Sequence, residues 1–276
     1  MSESKRAFLH VLLLYGLCIA VIATGLLDGV PTELGYEHYA ERPVPWLPRC
    51  LAMPCNSLVN LGYLAAGAYW LRRRPAAYHK DAFAWMAVGY GPVQWVRLAT
   101  QAQRPAALDQ WVTLPIFAWV PVWAAHLLGD EGGRAGRVAL AAEAASLASF
   151  ALGFELALGC HVLAAVLAGL RAQAGLGDRT SRRHLALAVA CCAGFVGLKL
   201  LDLRLAGWGL PCPRLTGHFW SKVCDVLQFH HSCRFLQRLE LRKRRRRADG
   251  ERARPDGRPA GDVSAEGEEE EEEKDL

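Results

Sequence analysis

The run Ala7–Leu27, AFLHVLLLYGLCIAVIATGLL, has no charged residue and a single histidine across 21 positions. A bilayer core of roughly 30 Å is crossed by about 20 apolar residues in helical form. A soluble core helix of that length would carry a polar face, and this run has none. The stretch therefore places the chain among membrane proteins. Lys5 and Arg6 precede it, as in a signal peptide. The apolar part exceeds the about 7–15 residues of a cleaved leader, so an uncleaved first span is expected.

Seven further apolar blocks follow, giving spans at about 7–27, 52–71, 82–100, 109–128, 136–153, 155–172, 184–203 and 216–236. The fifth and sixth are separated by inference. Residues 136–173 as one helix would reach about 57 Å, so a tight turn is expected near Gly153-Phe154-Glu155. The expected fold is all-α: a polytopic helical membrane bundle of about eight transmembrane helices, one N-terminal span plus a seven-span core. The expected domains are a multi-span unit over 1–236 and a disordered cytosolic tail over 237–276, basic and then acidic, with almost no large apolar side chains to bury. The prolines of the first long loop, between about residues 28 and 51, argue against helix there, and the loop is expected to form a lid over one face of the bundle.

Lysine and arginine near the span ends set the orientation. One set of connections holds Lys5 and Arg6; Arg72, Arg73, Arg74 and Lys80; Arg134 and Arg137; Arg171, Arg179, Arg182 and Arg183; and the run RKRRRR at 242–247. The other holds Arg42 and Arg49, Arg97 and Arg104, and Arg204 and Arg214. The first set is richer at every step. Both termini are thus expected in the cytosol, which requires an even number of spans. A secretory-pathway membrane, Golgi or ER, is the expected location.

This topology brings the ionisable residues of the spans to one depth. Asn56 and Asn60, Gln94 and Arg97, Asp109, Lys199 and Asp202, and His218, Lys222 and Asp225 all fall near the lumenal ends of their segments. His218, Lys222 and Asp225 stand at i, i+4 and i+7, on one helix face. Charges inside a membrane are costly and mark functional sites by default. A charged pocket is expected, with Asp109–Lys222 and Asp225–Arg97 as candidate pairs. Lys199 and Asp202, three residues apart, can also satisfy each other. Glu143 and Ser146 suggest a second polar contact between helices. Tryptophans near span ends, including Trp46, Trp70, Trp111, Trp119, Trp123, Trp208 and Trp220, suit an aromatic belt.

The nine cysteines show no zinc spacing, and no nucleotide-binding or hydrolase motif of a soluble enzyme occurs. The net charge of +5 gathers at block ends and in one run, which excludes a nucleic-acid footprint. The run Arg242, Lys243, Arg244, Arg245, Arg246 and Arg247 instead suits anionic lipid. Membrane lipid is the expected partner. No cofactor is expected.

ELGYEHYAERPV (33–44), AMPCNSLVNLGY (52–63), YGPVQWVRLATQ (90–101), LDQWVTLPIFAW (108–119) and LTGHFWSKVCDVLQFH (215–230) together resemble the vertebrate transmembrane protein 187 family, across roughly residues 8–231. That resemblance implies a multi-pass membrane protein without an established biochemical activity. Spans two to eight are also remotely similar to the seven-span superfamily of the alkaline ceramidases and the progestin and adiponectin receptors. In that group three histidines hold zinc and an aspartate orients the metal's water. Asp109 matches the aspartate and His218 the first histidine of an HxxxH pair. The second histidine's position is Lys222, and no histidine stands near Val96–Arg97. The likeness implies a degenerate site, with the metal lost and a charged pocket kept. The leading expectation is a non-catalytic membrane protein whose lumenal-side pocket takes a lipid or anionic ligand. The alternatives are an intramembrane zinc-dependent lipid amide hydrolase, with His218 as a ligand, and a small-solute transporter, for which no internal repeat is visible.

Overall fold

The computed structural model describes residues 1–129, 134–208 and 214–252, and among these the regular structure is all helical. The principal helices are α1 (Glu3–Ala23), α2 (Pro54–Leu58), α3 (Leu61–Arg72), α4 (Tyr78–Thr100), α5 (Gln103–Leu128), α6 (Arg134–Ser149), α7 (Phe154–Leu176), α8 (Arg179–Leu200), α9 (Asp202–Gly207) and α10 (Gly217–Arg252). Each of the eight expected segments falls on helix. α1, α5, α7 and α8 are long and apolar enough to cross a membrane. The protein is a polytopic helical membrane protein.

The bundle is built around α5. Two-thirds of its apolar window is buried, and Trp119, Trp123 and Leu114 are fully enclosed. α7 and α8 instead leave most of their apolar surface outward, as a lipid-facing wall requires. Trp70, Trp119 and Trp123 are core residues and Trp111 is 8% exposed, so these four do not join the expected belt; Trp46 and Trp208 are exposed. The belt reading fails there because a bulky ring near a helix end serves interior packing as readily as an interface.

The second segment is broken. α2 and α3 are separated at Val59–Asn60, where Gly62 and Tyr63 donate to carbonyls only three residues back. The fifth and sixth segments turn at Gly153, whose φ of +91° lies where only glycine is at ease. The seventh starts at Arg179, earlier than expected, because Asp178 caps it. The Ser181 amide donates to Asp178 Oδ1 at 2.7 Å, and the Asp178 amide donates to Ser181 Oγ at 2.8 Å.

The largest departure is α10. It does not end at 236 but runs to Arg252, about 54 Å of helix at 1.5 Å per residue. Helix thus continues past the expected tail boundary at 237, and Leu239, beyond it, is fully buried. The basic run is anchored on helix ends. Lys243 Nζ donates to Gly129 O at 2.9 Å, beyond the last turn of α5, and Arg246 reaches Gly175 O in the last turn of α7 at 3.4 Å. Cations at helix C-termini satisfy free carbonyls and the negative end of the macrodipole. The acidic part of the tail lies outside the described residues.

Asp178 ties this extension to the start of α8. Its Oδ2 accepts from Arg238 at 3.2 Å and pairs with Arg242 at 2.8 Å. Partial burial opposes ionisation, yet the Ser181, Arg242 and Arg238 donors prevail and hold the carboxyl well below the usual carboxylate range. A depressed folded pKa stabilises fully above the unfolded value near 3.9, and that stabilisation is lost as pH falls through the folded value. Asp178→Ala should cost about 1 kcal/mol at neutral pH. It should also flatten the acid limb below about pH 4. Thermal unfolding in detergent over a pH series measures both.

Candidate functional site

The site is assembled from residues at helical spacing. Tyr90, Gln94 and Arg97 share one face of α4, Asp109 and Thr113 one face of α5, and His218, Ser221, Lys222 and Asp225 one face of α10. These faces meet in a cavity of about 30 Å³, which Tyr39, Tyr63, Phe154, Phe195 and Lys199 complete. Six of the ten expected pocket residues line it: Gln94, Arg97, Asp109, Lys199, His218 and Lys222.

Asp109 is its electrostatic centre. It is 3% exposed. The guanidinium of Arg97 donates to its Oδ2, and Gln94 Nε2 donates to its Oδ1 at 2.5 Å. Gln94 Nε2 also reaches Tyr90 Oη. The ammonium of Lys222 donates to Gln94 Oε1 and, at 3.4 Å, to Asn60 Oδ1. Asp225 takes a 2.6 Å hydrogen bond from the Tyr63 hydroxyl. The rings of Tyr63 and Tyr90 meet edge-on at 5.1 Å.

The expected pairs are thus replaced. Asp109 binds Arg97 in place of Lys222, and Asp225 binds Tyr63 in place of Arg97. Depth is readable from sequence, whereas helix rotation decides the partner. Lys199 and Asp202 do not pair. Asp202 lies just past the end of α8, where its carboxylate accepts from the backbone amides of His218 at 2.7 Å and Ala40 at 2.9 Å. It caps α10 and fixes the loop, and it does not line the cavity. Lys199 has no hydrogen-bond or ion-pair partner among the described residues; its Nζ lies 6.0 Å from the centre of the Phe154 ring. Asn56 is wholly buried, and neither polar atom of its side chain is hydrogen-bonded.

The first long loop covers the site, as expected. Tyr39 lines the cavity and packs edge-on against His218 at 4.8 Å. Glu41 is fully buried and accepts from the amides of Cys55 at 2.9 Å and Asn56 at 2.8 Å, at the start of α2. Burial pushes its carboxyl above the usual range, while those two amides pull it back. Asp28 pairs with Arg104 at 2.8 Å, and Thr32 bonds Gln103 at 2.5 Å. The loop is thereby tied to the α4–α5 turn, to α2 and to α10.

Sequence reasoning passed over Tyr39, Tyr63, Tyr90, Thr113, Ser221, Phe154 and Phe195. A signal existed for two of them. Tyr90 stands four residues before Gln94, and Tyr63 three after Asn60, so each shares its neighbour's helix face.

A larger cavity, about 510 Å³, opens at the opposite end of the bundle, among His10, Tyr78, His79, His126 and Glu143. Glu143 meets His10 at 2.6 Å, and the Tyr78 hydroxyl meets the same imidazole at 2.9 Å. Ser146 bonds His161 at 3.0 Å. The expected polar contacts of Glu143 and Ser146 are therefore present. Here each acid already has a base: Glu3 holds Arg6 at 2.9 Å, and Glu240 holds Arg244 at 2.7 Å.

Catalytic zinc needs three protein ligands and an open position. The cavity offers one histidine, His218, and beside it stand Lys222 and Arg97, which are both cations. No group of three His, Cys, Asp or Glu side chains that could hold a metal occurs among the described residues. This donor set does not fit zinc.

Comparison with known proteins gives a consistent picture. The model of the TMEM187 protein family matches residues 7–237. Transmembrane protein 187 of Homo sapiens is 52% identical over 254 residues, covering 88% of this chain and 95% of the human protein. Transmembrane protein 187 of Bos taurus is 51% identical over 254 residues, covering 86% of this chain and 98% of the bovine protein. No solved structure matches.

Proposed function

We propose, from the premise that this chain belongs to the TMEM187 protein family, that it is a non-catalytic membrane protein whose loop-covered pocket binds an anionic group. One observation carries this reading: Lys199 faces the cavity with no counter-charge of its own, beside Lys222, whose hydrogen bonds go to neutral amide oxygens. A cation withdrawn from water calls for a partner, and here a ligand supplies it. The pocket opens toward the non-cytosolic leaflet of a Golgi or ER membrane, with both termini in the cytosol. There the exposed arginines 244–247 of α10 contact anionic lipid.

The test is thermal unfolding of the detergent-purified protein against chloride, a monocarboxylate amphiphile such as laurate, and inorganic phosphate. At least one raises the unfolding temperature in a saturable way, by the equivalent of about 2.7 kcal/mol at a hundredfold excess over Kd. Lys222→Met abolishes the effect. A polar cluster that only holds helices together responds to none of the three, and that result ends the proposal.

A further inference from the structure

We infer that the arginines at the start of α8, together with Arg234 of α10, form a site for one phospholipid whose headgroup carries a phosphate monoester. The site lies at the end of the bundle that bears the basic run, and it is independent of the pocket at the other end. The first argument is charge without counter-charge. α8 packs along α10. Arg179, Arg182 and Arg183 stand in the first turns of α8, and Arg234, Arg238 and Arg242 recur every four residues on one face of α10. Asp178 is shared by Arg238 and Arg242. Arg179, Arg182, Arg183 and Arg234 have no ion-pair partner among the described residues. The three on α8 also oppose the helix macrodipole, whose positive end favours acids. Helix stability therefore does not place them there, and a bound anion offsets both costs.

The second argument is the donor next along the two helices. His184 of α8 and His231 of α10, both half-buried, meet with their Nδ1 atoms 3.3 Å apart. One imidazole donates in that contact. The accepting ring, when neutral, carries its proton on Nε2, a donor with no hydrogen-bond partner among the described residues. Arg183 and Arg234 are near enough to act electrostatically on both rings. Guanidinium forks and an N–H donor suit a phosphate monoester, which offers three oxygens and more than one negative charge. The third argument is the lane beside these groups. From Arg182 an exposed stripe of α8 continues through Ala186, Val189, Ala193, Val196 and Leu200, at steps of three and four. Cations at the head of an apolar, outward lane match an amphiphile, whereas a soluble phosphate gains nothing from the lane.

The full chain in neutral detergent is titrated with dioctanoyl phosphatidylinositol 4-phosphate, with dioctanoyl phosphatidylserine and with inositol 1,4-bisphosphate, which has the phosphates and no chains. Thermal unfolding and native mass spectrometry read the binding. The first lipid raises the unfolding temperature by several degrees, saturates, and adds one molecule per chain. The other two bind at least tenfold more weakly. Arg183→Gln/Arg234→Gln weakens the first lipid at least tenfold. Arg72→Gln/Arg74→Gln, an equal loss of charge at exposed positions where α3 ends, leaves it unchanged. Should the first double variant fail to fold, Arg183→Gln alone, at an exposed position, weakens binding in its place, and the three ligands on the unaltered protein decide by themselves. Equal binding of the two lipids, or equal effects of the two double variants, shows only a rim of charge and overturns the inference. Bisphosphate binding as tight as the lipid's assigns the site to soluble phosphates and overturns it as well.

Discussion

Replacing Asp109 with alanine is expected to lower the unfolding free energy by about 3–5 kcal/mol, because it breaks a buried ion pair from one side. The substitution strands the guanidinium of Arg97, which is only 11% exposed, and takes the acceptor from Gln94 Nε2. Gln94 in turn positions the ammonium of Lys222. Loss of the aspartate therefore loosens α4, α5 and α10 together. Removing both charges in Arg97→Gln/Asp109→Asn should cost less than the sum of the single changes, since neither partner is left charged and alone. Asp225→Asn is milder because the amide oxygen still accepts from Tyr63. Chemical or thermal unfolding in one detergent measures these variants together with the single changes Arg97→Gln and Asp109→Asn. An Asp109→Ala protein as stable as Asp225→Asn would contradict the central place given to this carboxylate.

Leu239→Ala should be nearly as damaging, at about 2–5 kcal/mol for a fully enclosed leucine. Leu239 has no exposed surface and lies beyond the position where the apolar pattern of the last span ends. Its neighbour Glu240 accepts from Trp123 Nε1 at 3.3 Å, which joins this part of α10 to the central helix. Arg245→Ala, at an exposed position on the same helix, should stay within about 0.5 kcal/mol. Equal effects of the two changes would show that the extension of α10 does not pack as described.

These two residues mark the range of what the sequence discloses. Asp109 was legible because a carboxylate at the end of an apolar run is conspicuous, and because counting spans fixes its depth. Gln94, Arg97, Lys199, His218 and Lys222 were found in the same way. Their partners were not, since spacing along one helix does not set its rotation against another. By the same argument Asp202 belongs to the pocket, yet its carboxylate accepts from the backbone amides of His218 and Ala40, and every residue except proline carries such a group. Leu239 was missed for a related reason. A few leucines among basic residues read as a solvated tail, while the groups that hold Lys243, Arg246 and Arg242 are carbonyls at the ends of α5 and α7 and the cap of α8. Composition records side chains and is silent about free backbone ends.

The two anchors of α10 have a mechanical consequence. One end is pinned by the carboxylate of Asp202, the other by Asp178 and the terminal carbonyls of α5 and α7. A shift by one residue would turn every side chain by about 100° and move it 1.5 Å, which both moorings forbid. The helix is a strut held in register at its extremities. The placement of Lys222 is thus governed partly by Arg242, about 30 Å further along, and a disturbance at the basic end reaches the far end of the helix without any intervening change of fold.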